Sequence, residues 1–416
     1  MKENGLVLSA EERIAKHRMA EANLTFVTPR GKAIPGFKGR VRLAKHEFKL
    51  GANAFRVGNI KDRGLQREYN ERFAALMNYA TLPFYWGSYE REKGAPAAER
   101  LRAMADWCRK NDIIAKGHPL TWHEVFPSWA AELSDAKVIA LQKERIRHIV
   151  AEFRGLIDIW DVVNEATVSH RFDNAIGRWI KSRGAASCVA QALRLAHRAN
   201  GRAVLLYNDF NVSPQFEALV KALIRADAPV HTIGIQSHMH KVLWPLQRLW
   251  DTCETYARFG LPLHFTETTV LSGRLKAEDD NDWHAVHTDW RTTKRGEAAQ
   301  LSYGKRLYTL LFSHPAVEAI TWWDFSDDGA WQGAPAGLVR SDMSPKPLYN
   351  WLVESFCPGG RWGTDAAVVA DGSGCAAARC FFGDYEVVGR AASGKRLRGR
   401  FTLSRRGAKN VEVVLA

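Results

Sequence analysis

The spacing of apolar residues along this chain changes period several times, and the changes mark out its parts. Ala10–Ala22 carries its apolar residues at helical spacing and predicts a short helix. Leu24–Thr28 and Lys38–Ala44 read as two strands around the turn-rich Pro29-Arg30-Gly31-Lys32-Ala33-Ile34-Pro35-Gly36. From Glu47 onward, brief apolar runs alternate with amphipathic stretches. The runs are Phe48–Phe55, Tyr79–Tyr85, Ile113–Trp122, Leu156–Glu165, Ala203–Phe210, Thr232–His238, Leu261–Glu267 and Ala319–Phe325; helical stretches such as Ala97–Lys110, Ala136–Phe153, Pro214–Ala226 and Gly296–Ser313 separate them. Repeated βα units of this number predict an α/β fold, a (β/α)8 TIM barrel. After Pro358 the alternation stops, and strand-like segments appear at Tyr385–Val388, Leu397–Leu403 and Val411–Leu415. The expected organisation is an accessory helix and strands in 1–46, the barrel in 47–357, and a small β-rich region in 358–416 that the strands ahead of residue 46 complete.

A barrel of this kind places its chemistry at the C-terminal ends of its strands. His118 and His123, Asn164 and Glu165, Asn208 and Asp209, Gln236 and His238, Glu267, and Trp323 all fall at or just past those ends. The central stretch is Trp160-Asp161-Val162-Val163-Asn164-Glu165-Ala166, where a β-branched and aromatic run reads as a strand buried on both faces and leads directly to a carboxylate. Glu165 and Glu267 end the fourth and seventh strands and so share one rim. Two carboxylates facing one cleft are the minimum equipment for glycoside hydrolysis: one protonates the leaving oxygen, and the other attacks the sugar carbon or activates water. Asn164 could donate to a sugar hydroxyl, and His238 could hold the charge and orientation of Glu267. The competing readings are an N-cap or ion-pair role for either glutamate and a structural role for a histidine at a strand end.

Fifteen tryptophans are many for 416 residues, and Trp86, Trp122, Trp129, Trp160, Trp322, Trp323 and Trp331 cluster near strand ends. Indole planes suit the C–H faces of sugars; Trp323 and Trp331 are the expected binding residues, and Trp160 is expected to pack. Charge adds less. The net +14 favours attraction to anionic partners without naming one, and the basic residues are scattered apart from a late cluster at Lys395, Arg396, Arg398, Arg400, Arg405 and Arg406. No nucleic-acid motif and no membrane-length apolar run is present, so neither partner is expected. Six cysteines form no CxxC pair, which argues against a zinc ribbon or redox motif; Cys375 and Cys380 either bridge a loop or stay free. The polar N-terminus has no signal-peptide pattern, so a cytoplasmic location is expected for the chain as written, and a secreted or periplasmic one if a leader has been removed.

Taken together, His118-Pro119-Leu120-Thr121-Trp122-His123, Pro127-Ser128-Trp129, Trp160 to Glu165, Tyr207-Asn208-Asp209-Phe210-Asn211, Gly234-Ile235-Gln236-Ser237-His238, Thr266-Glu267 and Trp323 to Trp331 resemble glycoside hydrolase family 10, the endo-β-1,4-xylanase family, over roughly Gly51 to Phe356. The resemblance implies a retaining, double-displacement β-glycosidase acting on β-1,4-xylan-like plant polysaccharides or their oligosaccharides. It implies Glu165 as acid/base and Glu267 as nucleophile, with His118, Trp122, Asn164, Gln236, His238, Trp323 and Trp331 around the cleaved sugar. It implies no metal and no organic cofactor. The second-strand loop departs from the family pattern: where the family carries a Glu-Asn pair and a Lys, this chain has Thr81-Leu82-Pro83-Phe84-Tyr85-Trp86-Gly87-Ser88-Tyr89-Glu90. Losing hydroxyl-binding groups changes which sugar is accepted. The alternatives are a non-catalytic or repurposed carbohydrate-binding barrel and a glycosidase of a different decorated or acidic β-glycan. Oligomeric state is not legible.

Overall fold

A computed structural model describes residues 3–416. The chain forms two compact units, one of them Leu50–Gly296 with Ala316–Ser344, the other the chain up to Lys49 together with Glu297–Pro315 and Pro345–Ala416.

The first unit carries a closed barrel. Its strands are β3 (Lys49–Asn53), β4 (Tyr79–Pro83), β5 (Ile114–His118), β6 (Ile159–Asn164), β7 (Val204–Asp209), β8 (Thr232–Met239), β9 (Leu263–Val270) and β10 (Val317–Trp322), in the order β10-β3-β4-β5-β6-β7-β8-β9. From β3 through β10 each strand pairs in parallel with the next. The eight expected strands are therefore the eight barrel strands. Burial explains their composition: every residue of β4, β6 and β9 is buried, so these strands read as continuous apolar runs and not as alternations. Tyr79, Ile159, Leu206 and Ala319, from four strands, make one apolar cluster.

Gly117 shows how tightly β5 meets β6. A Cβ there would stand 2.1 Å from the Trp160 ring, so the missing side chain is what admits the indole. Trp160 is fully buried and donates its Nε1–H to Ile157 O, the packing role expected of it. The helix Pro214–Arg225 illustrates the outer layer: Phe216, Leu219, Val220 and Leu223 make its buried stripe, and proline stands in its first turn, where no backbone N–H is needed.

The second unit is built on two small sheets. The additional strands are β1 (Met19–Val27), β2 (Lys38–His46), β11 (Asp365–Val369), β12 (Cys375–Phe381), β13 (Gly383–Arg390), β14 (Arg396–Leu403) and β15 (Asn410–Val414), ordered β12-β1-β15 and β11-β2-β13-β14. The early strands thus sit between late ones, the β-rich region expected from the two ends of the sequence. Phe26, Phe37, Val41, Leu43, Tyr385, Val387 and Leu403 form its buried interior, with Tyr385 and Phe401 stacked at 4.7 Å. Most of helix Lys294–Ser313 and all of helix Pro347–Phe356 belong to this unit.

One expectation needs correction, and one open alternative is decided. The helix that begins at Ala10 ends at His17, not Ala22: Ala22, Leu24 and Phe26 are buried at period two, and the segment pairs with β12 antiparallel and β15 in parallel, so cross-strand bonding overrides local helix propensity. A bridge between Cys375 and Cys380 does not form; both thiols are free and stand on one extended strand. No helix among the described residues is long and apolar enough to cross a membrane.

Candidate active site

His118 is the last residue of β5, and its surroundings begin two residues deeper with a lysine. Lys116 Nζ donates to Asp161 Oδ2 at 2.5 Å, and His118 Nδ1 lies 2.8 Å from the same oxygen. All three side chains are buried. An uncompensated charge would be costly at that depth; here the pair and the imidazole satisfy one another. Burial would raise the Asp161 carboxyl, but Lys116 and His118 outweigh it and hold it below the ordinary carboxylate range. With Nδ1 committed to Asp161, His118 Nε2 stands 3.8 Å from Glu267 Oε1.

Glu267 lies within β9 and is 5 % exposed. Asn208 Nδ2, at the end of β7, donates to its Oε1 at 2.7 Å, and His238 Nε2, from β8, lies 3.2 Å from its Oε2. His238 Nδ1 meets Thr269 Oγ1 at 2.8 Å, and that hydroxyl donates to Trp323 O, which holds the ring between Thr269 and Glu267. Burial pushes the Glu267 carboxyl up, but the attraction of His118, the His238 hydrogen bond and Lys116 together bring it below its ordinary value. Glu267 is held as a carboxylate.

Glu165 follows β6 directly at φ +58°, a left-handed conformation that costs a non-glycine residue about 1–3 kcal/mol. Its N–H donates to Asn208 O at 2.8 Å, which pins the bend. Oε1 accepts from Asn164 Nδ2 at 3.0 Å and Gln236 Nε2 at 2.9 Å, and Oε2 accepts from Trp122 Nε1 at 3.1 Å. Burial raises this carboxyl well above the ordinary range; the Gln236 hydrogen bond opposes the shift, while the charges of Glu267, Asp209 and Glu124 add to it. Glu165 is held as an acid. Asn164 Oδ1 accepts from both Asn208 Nδ2 (2.8 Å) and Gln236 Nε2 (3.1 Å), so a single amide network touches both carboxyls.

The aromatic residues divide into two groups. Trp323 is buried among Phe55, His118 and His238 rings. Trp331 is 37 % exposed, lies 5.0 Å from the His238 ring, and stacks on Trp283 at 5.9 Å. In the second-strand loop, Tyr85 is half-buried with its ring 5.4 Å from His118 and 5.5 Å from Trp122, so it alone of Phe84-Tyr85-Trp86 borders the site. Phe84 is fully buried against Phe153 and Trp160. Trp86 braces the loop by donating to Glu90 Oε2, and Trp129 donates to Glu90 O.

Of the nine residues expected from the sequence, Glu165 and Glu267 are therefore the two carboxyls and the other seven lie around them. Sequence reasoning missed Lys116, Asp161 and Trp283. The first two carried a signal: a charged residue inside a strand buried on both faces requires a partner, and each is the other's.

A family model described as glycosyl hydrolase family 10 matches residues 43–355. The chain belongs to this family. It is thus a glycoside hydrolase, similar to the endo-1,4-beta-xylanase B of Thermotoga neapolitana, with 27% identity over 281 residues covering 64% of this chain and 75% of that protein. A beta-1,4-xylanase of Dictyoglomus thermophilum is 30% identical over 237 residues, or 55% of this chain and 64% of that one. Among solved structures, xylanase 10B from Thermotoga petrophila in complex with xylobiose superposes at a TM-score of 0.61 and 24% identity, covering 74% of this hydrolase and 94% of that chain. Native xylanase 10B from Thermotoga maritima gives 0.62 and 24%, covering 74% and 95%. At that identity the structural likeness speaks to the fold.

Proposed function

We propose that this family 10 hydrolase cleaves β-1,4-xylan-like plant polysaccharides or their oligosaccharides with retention of configuration. The observation that carries the reading is the opposite poise of two glutamates joined by one amide network: Glu267 beside His118, His238 and Lys116, Glu165 withdrawn from cations. In the first step Glu267 attacks the anomeric carbon while Glu165 passes its proton to the departing glycosidic oxygen. Esterified Glu267 carries no charge, so its upward push on Glu165 is gone, and Glu165, having given up its proton, stays ionised and can take one from the attacking water. Water then displaces Glu267, and its proton returns to Glu165. Asn164, Gln236, His118, Trp122, His238, Trp323 and Trp331 contact and orient the sugar around the cleaved bond. No metal or cofactor takes part in these steps.

Tyr85 lies in the second-strand loop, where the family pattern has polar groups that this chain lacks, and its ring borders His118 and Trp122. The glycone it favours is one recognised by ring stacking more than by hydroxyl hydrogen bonds. The test is product analysis of the purified protein on β-1,4-xylan, arabinoxylan, glucuronoxylan, mixed-linkage glucan and aryl β-glycosides, with Glu267→Ala as control. Xylo-oligomers with retained configuration are the expected products. Release from glucan alone, or no release from any substrate, overturns the assignment.

A further inference from the structure

His123 lies behind the acid/base, and the direction of its hydrogen bonds is fixed by its neighbours. The Ser169 hydroxyl donates to Glu165 O at 3.0 Å and lies 2.7 Å from His123 Nδ1. Because that hydroxyl proton is already committed, Nδ1 is the donor and carries the ring proton. Nε2 is then a bare lone pair. It is buried, it has no hydrogen-bond partner among the described residues, and its side chain is fully excluded from solvent.

The groups this lone pair faces are acceptors as well. Glu124 Oε1 is 3.8 Å and Glu165 Oε2 is 3.9 Å from Nε2, and one ligand atom from each of the three residues lies within 4.8 Å of the others. Lone pairs converging on one point repel one another unless something positive stands between them: the proton of Glu165 while it is an acid, or a cation that displaces that proton. Ligand bonds of roughly 2.0–2.2 Å to imidazole nitrogen and carboxylate oxygen span triangles only slightly smaller than this one. Glu124, whose side chain is 26% exposed, has room to supply the remaining movement.

We propose that His123 Nε2, Glu124 and Glu165 Oε2 form a binding site for a divalent transition-metal ion of the zinc type, whose occupancy blocks the hydrolase by taking the oxygen that delivers the acid proton. One imidazole and two carboxylates balance the charge of a dication once the ion has displaced the Glu165 proton, with a position left open. The nitrogen ligand and the low ligand number favour zinc-like ions over magnesium and calcium, which require oxygen-rich shells. Binding at this point depends on the three side chains alone; the block on turnover rests additionally on Glu165 being the acid/base.

The experiment titrates the chelator-treated full-length protein with Zn2+ by calorimetry and with Co2+ by visible absorption, and repeats both for Glu124→Gln and Glu124→Ala. One strong Zn2+ site per chain and a cobalt d–d band are expected. Both substitutions are expected to weaken binding by about tenfold or more, the scale on which even an outer partner acts. Glu124 makes no proposed contact with the sugar, but its charge, after those of Glu267 and Asp209, is the smallest of the three pushes that raise Glu165, so the effect of metal is read for each variant against its own metal-free turnover. Absence of a strong site, equal affinity in the variants, or equal binding of Mg2+ overturns the proposal. Turnover of the unmodified hydrolase falls with Zn2+ and returns with chelator, whereas Glu124→Gln turnover stays insensitive. Zinc binding that leaves turnover untouched overturns the blocking role. Since calorimetry and absorption read the ligands and not the reaction, Glu165→Gln lowers the affinity even if another residue proves to be the acid/base, which separates the two claims.

Discussion

The corner of the barrel around Glu267 and the corner around Glu165 present the same side chain with opposite surroundings. At Glu267 a buried lysine stands behind Asp161, His118 bridges toward the cleft, and His238 closes the other carboxylate oxygen. At Glu165 the donors are neutral amides and an indole, and the nearby charges are negative. Both carboxyls are buried, so desolvation pushes each upward; only one corner contains the cations that reverse it. The lesson is that the proposed acid and the proposed nucleophile are told apart by residues that need not touch substrate, one layer below the rim.

The severest way to break this contrast is Glu267→Ala. Loss of turnover by more than about 10⁴-fold is expected, the scale of removing a covalent nucleophile, with an unchanged far-ultraviolet dichroism spectrum. Undiminished hydrolysis would refute the nucleophile assignment. Glu165→Ala comes next, with a loss of about 10²–10⁴-fold on substrates with poor leaving groups and little loss of the first step on activated aryl glycosides. An equal loss across leaving groups would remove Glu165 as the acid.

The cation beneath Glu267 is tested by Lys116→Met, which leaves Asp161 buried without its charge partner. Destabilisation of roughly 3–5 kcal/mol is expected, read as a lower midpoint in urea at neutral pH. Asp161 sits below the ordinary carboxylate range in the folded chain, so its contribution is present above the unfolded value and is lost as pH falls through the folded one. The gap between variant and parent accordingly narrows on acidification; a gap that widens would contradict the sign. The smallest effects fall on the pH profile of kcat/KM. His238→Ala removes a bond that lowers Glu267, so the acidic limb moves up in pH. Gln236→Leu removes a bond that lowers Glu165, so the alkaline limb moves up too. A shift of one limb by the other limb's substitution would merge the two corners into one.

Much of this architecture was legible because barrel strands buried on both faces announce themselves as apolar runs, and because polar residues at their ends had nowhere to be but the rim. Asn164, Glu165, Gln236, His238 and Glu267 were found that way. The layer below was not, since Lys116 and Asp161 sit inside the runs Ile113–Trp122 and Leu156–Glu165 and interrupt the very pattern used to find strands. Trp283 lies between Val270 and Lys294, where no strand or helix period operates, and its partner Trp331 is close only in space. Cys375–Phe381 contains three consecutive alanines, weak strand formers; its seven pairings with β1 make it a strand. The helix ending at His17 was overrun for the same reason, because β1 owes its form to residues more than three hundred positions away.

That last pairing sets an order of events during synthesis. Thr25 must wait for Cys375 and Leu24 for Val411, so β1 and β2 emerge from the ribosome first and find their neighbours last. At about 5–20 residues per second the delay is on the order of half a minute. Throughout it the largely apolar β1 and the basic β2 offer open edges to any other nascent chain, and a transcript broken before β12 would release protein in which those edges are never covered.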